Sequence, residues 1–322
     1  MMKPLKFEDI LKPVIWGGNE ICKFKDVNPK LEGIGESWEI SQVEGNVSVV
    51  AEGEYKGATL TEVMDKEGVA LLGKHVVERF GKDFPLLIKF IDARDFLSIQ
   101  VHPDDTLAKE RHNSFGKTEM WYVISAVEGA GLYSGFSQEI TPEEYVERIE
   151  NNTITDVLQF HEVKSGDVFF LPAGRVHAIG KGIFIAEIQQ NSNITYRIYD
   201  YNRKDKNGNG RELHTELAKD AIDYKLYSNL KTEYIPKVNE GVKLAECQYF
   251  STSVLDSDGE VTDKLGERDS FSIFICMGGN ATLTDNEGNV PEMKQGETIL
   301  VPATTQEVKI EGNAKLLECF IP

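Results

Sequence analysis

The chain has 322 residues, of which 40% are hydrophobic and 27% are charged, a composition typical of a globular protein with a substantial core. Its formal net charge of -18 argues against nucleic acid or an anionic membrane surface as the main partner, because both bind to basic protein faces. A small anionic substrate is compatible with this charge, provided that a few Lys and Arg side chains gather in one pocket.

Export and membrane insertion have no support in the sequence. The N-terminal stretch MMKPLKFEDILKPVIWGG lacks the apolar run of a signal peptide, and no later stretch is long and apolar enough to span a bilayer. The cysteines form no Cys-x-x-Cys pair, which predicts reduced thiols at Cys22, Cys247, Cys276 and Cys319. We therefore expect a cytoplasmic protein that has no nucleic acid, membrane or obligatory protein partner.

The first part of the chain is predicted to alternate strands with a helical segment. Residues 1–57 mix short apolar runs with Gly, Asn and Pro, which indicates short strands and turns. Thr59 and Glu62 have the spacing of a capping box, and the apolar spacing after them predicts one or two helices over residues 63–82. The run PLLIKFIDA then has the length of a strand.

The most informative stretch of the sequence follows, over residues 97–122. Alternate residues of a strand share a face, so Ser98, Gln100 and His102 should point the same way until Pro103 ends the strand. The apolar residues between them should point the opposite way: Leu97, Ile99 and Val101.

The next segment, GKTEMWYVIS, repeats this pattern. Lys117 and Glu119 should share one face of a strand, and apolar residues should occupy the other: Met120, Tyr122 and Ile124. A buried row of ionisable groups is costly unless the groups are paired or hold an ion. Two such strands side by side therefore favour a metal site.

The remainder of the chain is predicted to be mainly strands. Thr141 and Pro142 indicate the start of a helix of about ten residues by its stop signals. His161 precedes a Gly-Asp turn, so we expect it in an exposed loop. A polar loop, NRKDKNGNGRE, precedes a short helix, and beyond Lys225 the sequence predicts short strands and turns.

A faint internal repeat relates two distant segments. KSGDVFFLPAG, from Lys164, matches KQGETILVPAT, from Lys294, in its Lys, Gly, acidic, apolar and Pro-Ala positions. Where the first copy has His177, the second has Glu307, so candidate metal ligands occur in the first copy only. A period this long indicates a duplicated domain rather than a solenoid.

The Gly-Asp turn, apolar strand, Pro and following His177 resemble the second half of a cupin motif, a small jelly roll that binds a metal inside its barrel. Four segments, LSIQVHPDD, GKTEMWY, PAGRVHAIGKG and QQNSNITYRIYDYNR, together resemble type I mannose-6-phosphate isomerases of the short bacterial form. The resemblance implies a mainly β protein of two cupin-type jelly-roll β-sandwich domains with a few inserted helices. Residues 1–224 would form the catalytic, metal-binding domain and residues 225–322 a degenerate cupin-like domain.

The same resemblance implies a metal site and a reaction. It makes His102, Glu119 and His177 ligands of one Zn²⁺ per chain, and Gln100 a fourth ligand that binds directly or through water. The implied reaction interconverts mannose 6-phosphate and fructose 6-phosphate by moving a proton between C2 and C1 through an enediolate. Zinc would polarise the sugar oxygens as a Lewis acid.

The resemblance also implies residues that contact the substrate. Lys117 is a candidate for the base, with a zinc-bound hydroxide or an unidentified carboxylate as alternatives. Arg197 matches the active-site arginine of the family, and its permanently charged fork suits a phosphate or a developing enediolate, although a surface pair with Asp200 is an alternative. Ser98 offers a hydroxyl to the phosphate.

Two other functions are compatible with these residues. A metal-dependent cupin oxygenase would hold iron with two His and one carboxylate, which would leave Gln100 and Lys117 without a role. A non-catalytic sugar-binding or regulatory cupin is the second alternative. Metal analysis combined with an isomerase assay would distinguish the three.

Overall fold

Antiparallel sheets dominate the computed structural model, which describes residues 2–28, 31–204 and 207–322. Within these ranges every helix is too short or too polar to cross a lipid bilayer. The strands before residue 233 are β1 (Leu5–Lys6), β2 (Ile10–Gly18), β3 (Ile34–Ile40), β4 (Leu86–Ala93), β5 (Ile99–Val101), β6 (Glu119–Ala126), β7 (Gly131–Phe136), β8 (Leu158–Glu162), β9 (Val168–Leu171), β10 (His177–Ala178), β11 (Ile183–Gln190), β12 (Tyr196–Tyr199) and β13 (Lys231–Thr232). The later strands are β14 (Val242–Glu246), β15 (Ser251–Lys264), β16 (Ser272–Asp285), β17 (Glu292–Lys294), β18 (Thr298–Val301) and β19 (Glu307–Phe320).

Helices occupy the connections between strands in the first two thirds of the chain. They are α1 (Glu20–Phe24), α2 (Leu60–Glu67), α3 (Val69–Leu72), α4 (Lys74–Phe80), α5 (Asp105–His112), α6 (Pro142–Glu150) and α7 (Thr215–Ala221), with a 3-10 helix at Ile154–Val157. The predicted class, mainly β with a few inserted helices, is thus confirmed.

Two sheets form the first β-sandwich. The strand order is β13-β9-β6-β11-β4-β2-β3 in one sheet and β12-β5-β10-β7-β8 in the other. Apolar residues of both sheets, such as Trp121 and Leu132, pack into one cluster between them. Outside the second sheet, Tyr145 of α6 and Ala218 of α7 pack against Ile99 and Val101. Any polar group between the sheets is therefore shielded from water on this side.

The alternation of side chains along β4 sorts its residues between two cores. Ile88 and Phe90 join the core shared with the C-terminal sheet, whereas Ile91 and Ala93 join the cluster inside the first sandwich. Lys89 takes the inner face with Ile91, at the wall of an internal cavity. Because β4 is fully buried, we expect the charge of Lys89 to be paired with an opposite charge or to have a functional role.

The alternation that we predicted over residues 97–102 fails at Leu97, whereas Ser98 and Gln100 line the same cavity as predicted. Ile99 and Val101 face outward, but Leu97 and Ser98 both line the internal cavity. The reason is that β5 begins at Ile99, so the segment before it does not follow the period of a strand.

The C-terminal strands form a third sheet, with the order β1-β18-β16-β19-β15-β14 and β17 beside β16. The prediction of short strands is wrong here, since β15, β16 and β19 each contain 14 residues. Glycines inside these strands look like turn signals, but Gly279 has a φ of 75° and a Cβ there would lie 2.1 Å from the carbonyl oxygen of Asn313. Glycine here permits close contact between paired strands rather than a turn.

The internal repeat corresponds to two similar turn-and-strand units. Gly166 and Gly296 have φ values of 90° and 84°, a conformation that favours glycine, and each precedes a four-residue strand, β9 or β18. The two copies lie in different sheets, as a duplicated domain requires.

The predicted helices are present, but the described residues form more helices than the sequence predicted. The capping box of Thr59 and Glu62 is present at α2, and α6 begins after Thr141 as predicted. The one or two helices expected after Thr59 are divided into α2, α3 and α4, because Gly68 and Gly73 interrupt them with positive φ. The helices α1 and α5 were not predicted.

The prediction that His161 lies in an exposed loop is wrong. This residue belongs to β8, is half-buried, and its ring lies 5.3 Å from that of Phe169. The Gly-Asp turn that suggested a loop starts after β8 has ended.

Candidate active site

Three strands bring the predicted metal ligands together inside the first sandwich. Gln100 lies in β5, and His102 follows the end of that strand. His177 opens β10 and pairs directly with Gln100 across the sheet. Glu119 opens β6, which belongs to the facing sheet. The site is therefore built across the sandwich, from residues that are distant in the sequence.

The distances between these side chains fit a common centre. Single donor atoms of His102, Glu119 and His177 all lie within 4.8 Å of one another. Nε2 of His177 is 3.2 Å from Oε1 of Glu119, and Nε2 of His102 is 3.5 Å from Oε2. The side-chain nitrogen of Gln100 is 3.2 Å from Nε2 of His177, so a half-turn of this amide would bring its oxygen to the same place.

Hydrogen bonds orient both imidazole rings. Nδ1 of His102 lies 2.9 Å from the carbonyl oxygen of Ile194, and Nδ1 of His177 lies 2.8 Å from that of Arg175. Because a carbonyl only accepts, each Nδ1 carries the proton, and each Nε2 keeps an unprotonated lone pair on the side of the ring that faces the cluster. Burial lowers the pKa of His177 to about 3 and holds the pKa of His102 well below its usual value. Both rings are thus neutral at physiological pH, the form that binds metals.

Glu119 is a buried carboxylate that lacks hydrogen-bond donors among the described residues. Among the described residues neither of its oxygens accepts a hydrogen bond, and its contact with Lys117 is an ion pair of 3.1 Å. Burial, followed by the nearby carboxylate of Glu187, raises its pKa. A cation between Glu119 and the two imidazoles would offset this cost.

These residues therefore fit a divalent metal ion. Two neutral imidazoles and one carboxylate are the donors that proteins use for Zn²⁺ and related transition metals. The carboxylate of Glu119 and the unprotonated Nε2 atoms of His102 and His177 lie within 4.8 Å of one another and supply such a donor set. Lys117, whose Nζ lies 3.2 Å from Nε2 of His102, is in contact with the same cluster.

A cavity of about 360 Å³ adjoins this cluster. The predicted substrate-contacting residues Ser98, Lys117 and Arg197 all line it, together with Gln100. Its volume lies at the lower end of the range for small-molecule sites. The structure thus brings all the residues singled out in the sequence to one place.

A buried ion pair in the cavity wall was missed by sequence reasoning. Nζ of Lys89 in β4 lies 3.2 Å from Oε1 of Glu187 in β11, its direct partner across the sheet. Oε2 of Glu187 accepts a 2.8 Å hydrogen bond from Nε1 of Trp121, whose ring meets that of His177 edge-on at 5.2 Å. Burial would lower the pKa of Lys89, but carboxylates led by Glu187 outweigh it and raise the pKa. The available signal was a charged residue in the middle of each of the apolar runs PLLIKFIDA and GIFIAEIQQ, Lys89 in the first and Glu187 in the second.

Asp200 holds a second arginine, Arg211, at the cavity. Its ion pairs are with Arg203 and Arg211, and Arg211 donates through Nε at 2.7 Å and Nη2 at 2.6 Å. The alternative that paired Arg197 with Asp200 is wrong, because the described residues contain no such ion pair; Arg197 donates instead to the carbonyl oxygen of Glu212, at 2.9 Å.

Arg197 and Arg211 thus both line the cavity. Burial and then the charge of Arg211 lower the pKa of Arg197. Two neighbouring guanidinium groups create a positive potential that suits an anionic ligand. Arg211, which lies in the polar loop after Asp200, was not predicted, because nothing in the loop sequence showed that it folds back to the cavity.

A jelly-roll sandwich that encloses a metal-type donor set beside a cavity lined by two arginines defines a cupin-type protein whose cavity suits a small anion. Comparisons with known proteins identify its family. Residues 5–122 match the family model of the type I phosphomannose isomerase catalytic domain, and residues 241–321 match that of the mannose-6-phosphate isomerase cupin domain.

Full-length relatives agree with these matches. The chain is 36% identical to the mannose-6-phosphate isomerase ManA of Bacillus subtilis, over 99% of this chain and 98% of the relative. It is 34% identical to the mannose-6-phosphate isomerase of Streptococcus mutans, over 98% of each. The crystal structure of the mannose 6-phosphate isomerase from Bacillus subtilis matches with a TM-score of 0.88 and 31% identity over 99% of both chains. The chain therefore belongs to the type I mannose-6-phosphate isomerase family, and it is an isomerase, as its motifs had predicted.

Proposed function

We propose that this protein interconverts mannose 6-phosphate and fructose 6-phosphate and that it uses one Zn²⁺ per chain. The carrying observation is a buried cluster of one carboxylate and two neutral imidazoles, His102, Glu119 and His177, beside a cavity that Gln100, Lys117 and two arginines line. Family membership supports the substrate, since the relatives described above bear the name of this reaction.

In this proposal His102, Glu119 and His177 hold the metal, and Gln100 completes the set. Bound there, the metal would supply Lewis-acid polarisation of the sugar oxygens at C1 and C2. The carbonyls of Ile194 and Arg175 keep the two Nε2 atoms available to it by accepting the Nδ1 protons.

Arginines bind the phosphate in the proposed complex. Arg197 and Arg211 present forked donors to the cavity, and Ser98 adds a hydroxyl. Asp200 neutralises part of this charge and holds Arg211 through two hydrogen bonds, which lowers the entropy that Arg211 loses on binding.

Proton transfer requires a base near C2 of the open-chain sugar. We propose Lys117, which contacts His102 and pairs with Glu119 from the cavity wall, and which would act as the neutral amine once a bound cation replaces its charge beside Glu119. Glu187 is the carboxylate that offers an alternative, because Lys89 and then Lys117 outweigh burial and lower its pKa, so that it is ionised. Burial of both groups between the sheets excludes bulk water from the transferred proton.

The proposed location is the cytosol, where thiols stay reduced. All four cysteines of this chain are free thiols, in agreement with the sequence-based expectation.

The test is a metal analysis combined with a coupled assay. Purified protein should contain about one zinc per chain by inductively coupled plasma mass spectrometry and should convert mannose 6-phosphate into fructose 6-phosphate. Prolonged chelation should abolish turnover, and added Zn²⁺ should restore it. Turnover that survives complete removal of metal would overturn the proposed role of the ion, and iron content with substrate-dependent oxygen uptake would favour the oxygenase instead.

A further inference from the structure

Hydrogen bonds from residues outside the active site hold the segment that carries Lys117 and Glu119. Lys117 and Glu119 stand at the entry of β6, and Gly116 and Thr118 flank Lys117. The backbone N–H of Lys117 donates to the carbonyl oxygen of Pro103, at 3.1 Å. This bond ties the segment to the turn that directly follows His102.

Asp105, the first residue of α5, is the centre of these contacts. Its Oδ1 accepts hydrogen bonds from the backbone N–H of Gly116 at 2.8 Å and from Nε2 of Gln190 at 2.9 Å. Gln190 in turn accepts from the backbone N–H of Thr118 at 2.8 Å and donates its own N–H to the carbonyl oxygen of Thr118 at 3.1 Å. The backbone on both sides of Lys117 is therefore fixed by one carboxylate.

Close packing adds to this constraint. A Cβ at Gly116 would lie 2.6 Å from backbone atoms of both Asp104 and Asp105. The entry of β6 thus contacts the start of α5 at backbone distance, and a displacement of α5 would be transmitted to Lys117.

The second carboxylate oxygen of Asp105 is bound by a residue from the C-terminal part of the chain. The hydroxyl of Tyr249 donates to Oδ2 at 2.6 Å. Tyr249 lies between β14 and β15, inside the region that matches the cupin domain of the family. Tyr249, a residue of the C-terminal part of the chain, is therefore linked through Asp105 to the segment that carries Lys117 and Glu119.

We propose that Tyr249 is a positioning residue for the isomerase reaction, a role that rests on the proposed function. Its hydrogen bond fixes the rotamer of Asp105, and Asp105 fixes the backbone from Gly116 to Thr118. This holds Nζ of Lys117 and the carboxylate of Glu119 against His102. Because small misplacements of reacting groups cost large factors in rate, the C-terminal part contributes to turnover without lining the cavity.

The test is Tyr249→Phe, with Tyr234→Phe as a matched control. Tyr234 also links parts of the chain through a hydroxyl, which donates to the carbonyl oxygen of Gly166 at 2.8 Å, and both tyrosines are half-buried. Hydrogen exchange followed by mass spectrometry should show faster exchange over residues 113–120 in Tyr249→Phe than in Tyr234→Phe. Asp105→Asn, which keeps the size of the side chain, should show the same local increase.

Kinetics supply a second readout. We expect kcat of Tyr249→Phe to fall about tenfold while KM for mannose 6-phosphate changes less than about twofold, with Tyr234→Phe close to wild type in both. Equal exchange and equal kcat in the two variants would overturn the positioning role. A wild-type protein without isomerase turnover would instead refute the proposed function, and the exchange experiment would still decide whether Tyr249 orders this segment.

Discussion

At the scale of single residues, His177 and Glu307 illustrate how a repeated segment can lose a function. They occupy matching positions in the two copies, yet His177 is buried beside Glu119, whereas Glu307 is exposed at the start of β19. Among the described residues, Glu307 belongs to no cluster of potential metal ligands. The two positions can therefore be tested as a pair.

Replacing His177 by Ala should abolish both zinc content and turnover, because one of three clustered donors is lost. Glu307→Ala should leave both properties intact. Metal content by mass spectrometry and the coupled isomerase assay measure the two effects. A loss of activity in Glu307→Ala would contradict the view that the second copy is degenerate.

Arg197 provides a second prediction at this scale. Arg197→Lys should keep the metal and reduce kcat/KM by about 10- to 100-fold, since a point charge replaces a forked donor at the cavity. Inhibition by inorganic phosphate should weaken in parallel. Unchanged kinetics would assign Arg197 to structure alone, through its bond to the carbonyl oxygen of Glu212.

At the scale of elements, the central pair β4 and β11 carries a buried charge on each strand. Both strands are buried along their whole length, and Lys89 and Glu187 are each the other's leading source of charge compensation. Removal of one partner leaves an uncompensated charge, which typically costs about 3–5 kcal/mol.

Lys89→Met should therefore lower the free energy of unfolding by about 3–5 kcal/mol. Adding Glu187→Gln should recover much of this loss, because the remaining group is neutral and can still accept from Nε1 of Trp121. Urea titrations in the presence of a chelator would measure both variants without a contribution from bound metal. A single variant as stable as wild type would show that the pair does not stabilise the sandwich.

Local signals predicted some elements and not others, for identifiable reasons. The capping box at Thr59 and the Thr141-Pro142 start are contacts within one helical turn, so the sequence contains all that they need. The length of β16 depends on its pairing with β19, where Gly279 gives room to the opposite backbone. A glycine that accommodates a distant strand cannot be distinguished locally from one that forms a turn.

At the scale of the whole molecule, the first sandwich and the C-terminal sheet share a core. One hydrophobic cluster joins Ile88 and Phe90 of β4 to Ile275 and Leu317 of the C-terminal sheet. The N-terminal strand β1 also pairs with β18, at the edge of that sheet. We propose the division into a catalytic domain of residues 1–224 and a supporting domain of residues 225–322, but these contacts make the two interdependent.

The full chain should therefore unfold in a single cooperative transition. A fragment of residues 1–224 should be insoluble or partly unfolded, because removal of the partner exposes the apolar face of β4, β6 and β11. Calorimetry of the full chain and circular dichroism of the fragment would test this. Two separate transitions, or a fragment with native-like spectra, would show that each domain is stable alone.

The sequence by itself determined the fold class, the family and which residues gather in the buried cluster or line the cavity beside it: Ser98, Gln100, His102, Lys117, Glu119, His177 and Arg197. It could do so because these residues lie in short contiguous motifs that resemble those of a known family, and strand alternation added support for Gln100, His102, Lys117 and Glu119. Tertiary structure alone decided that Lys89 meets Glu187, that Arg211 folds back beside Arg197, and that Tyr249 reaches Asp105. Those contacts join positions far apart in the chain, and burial and strand pairing, rather than local sequence, determine which distant side chains meet.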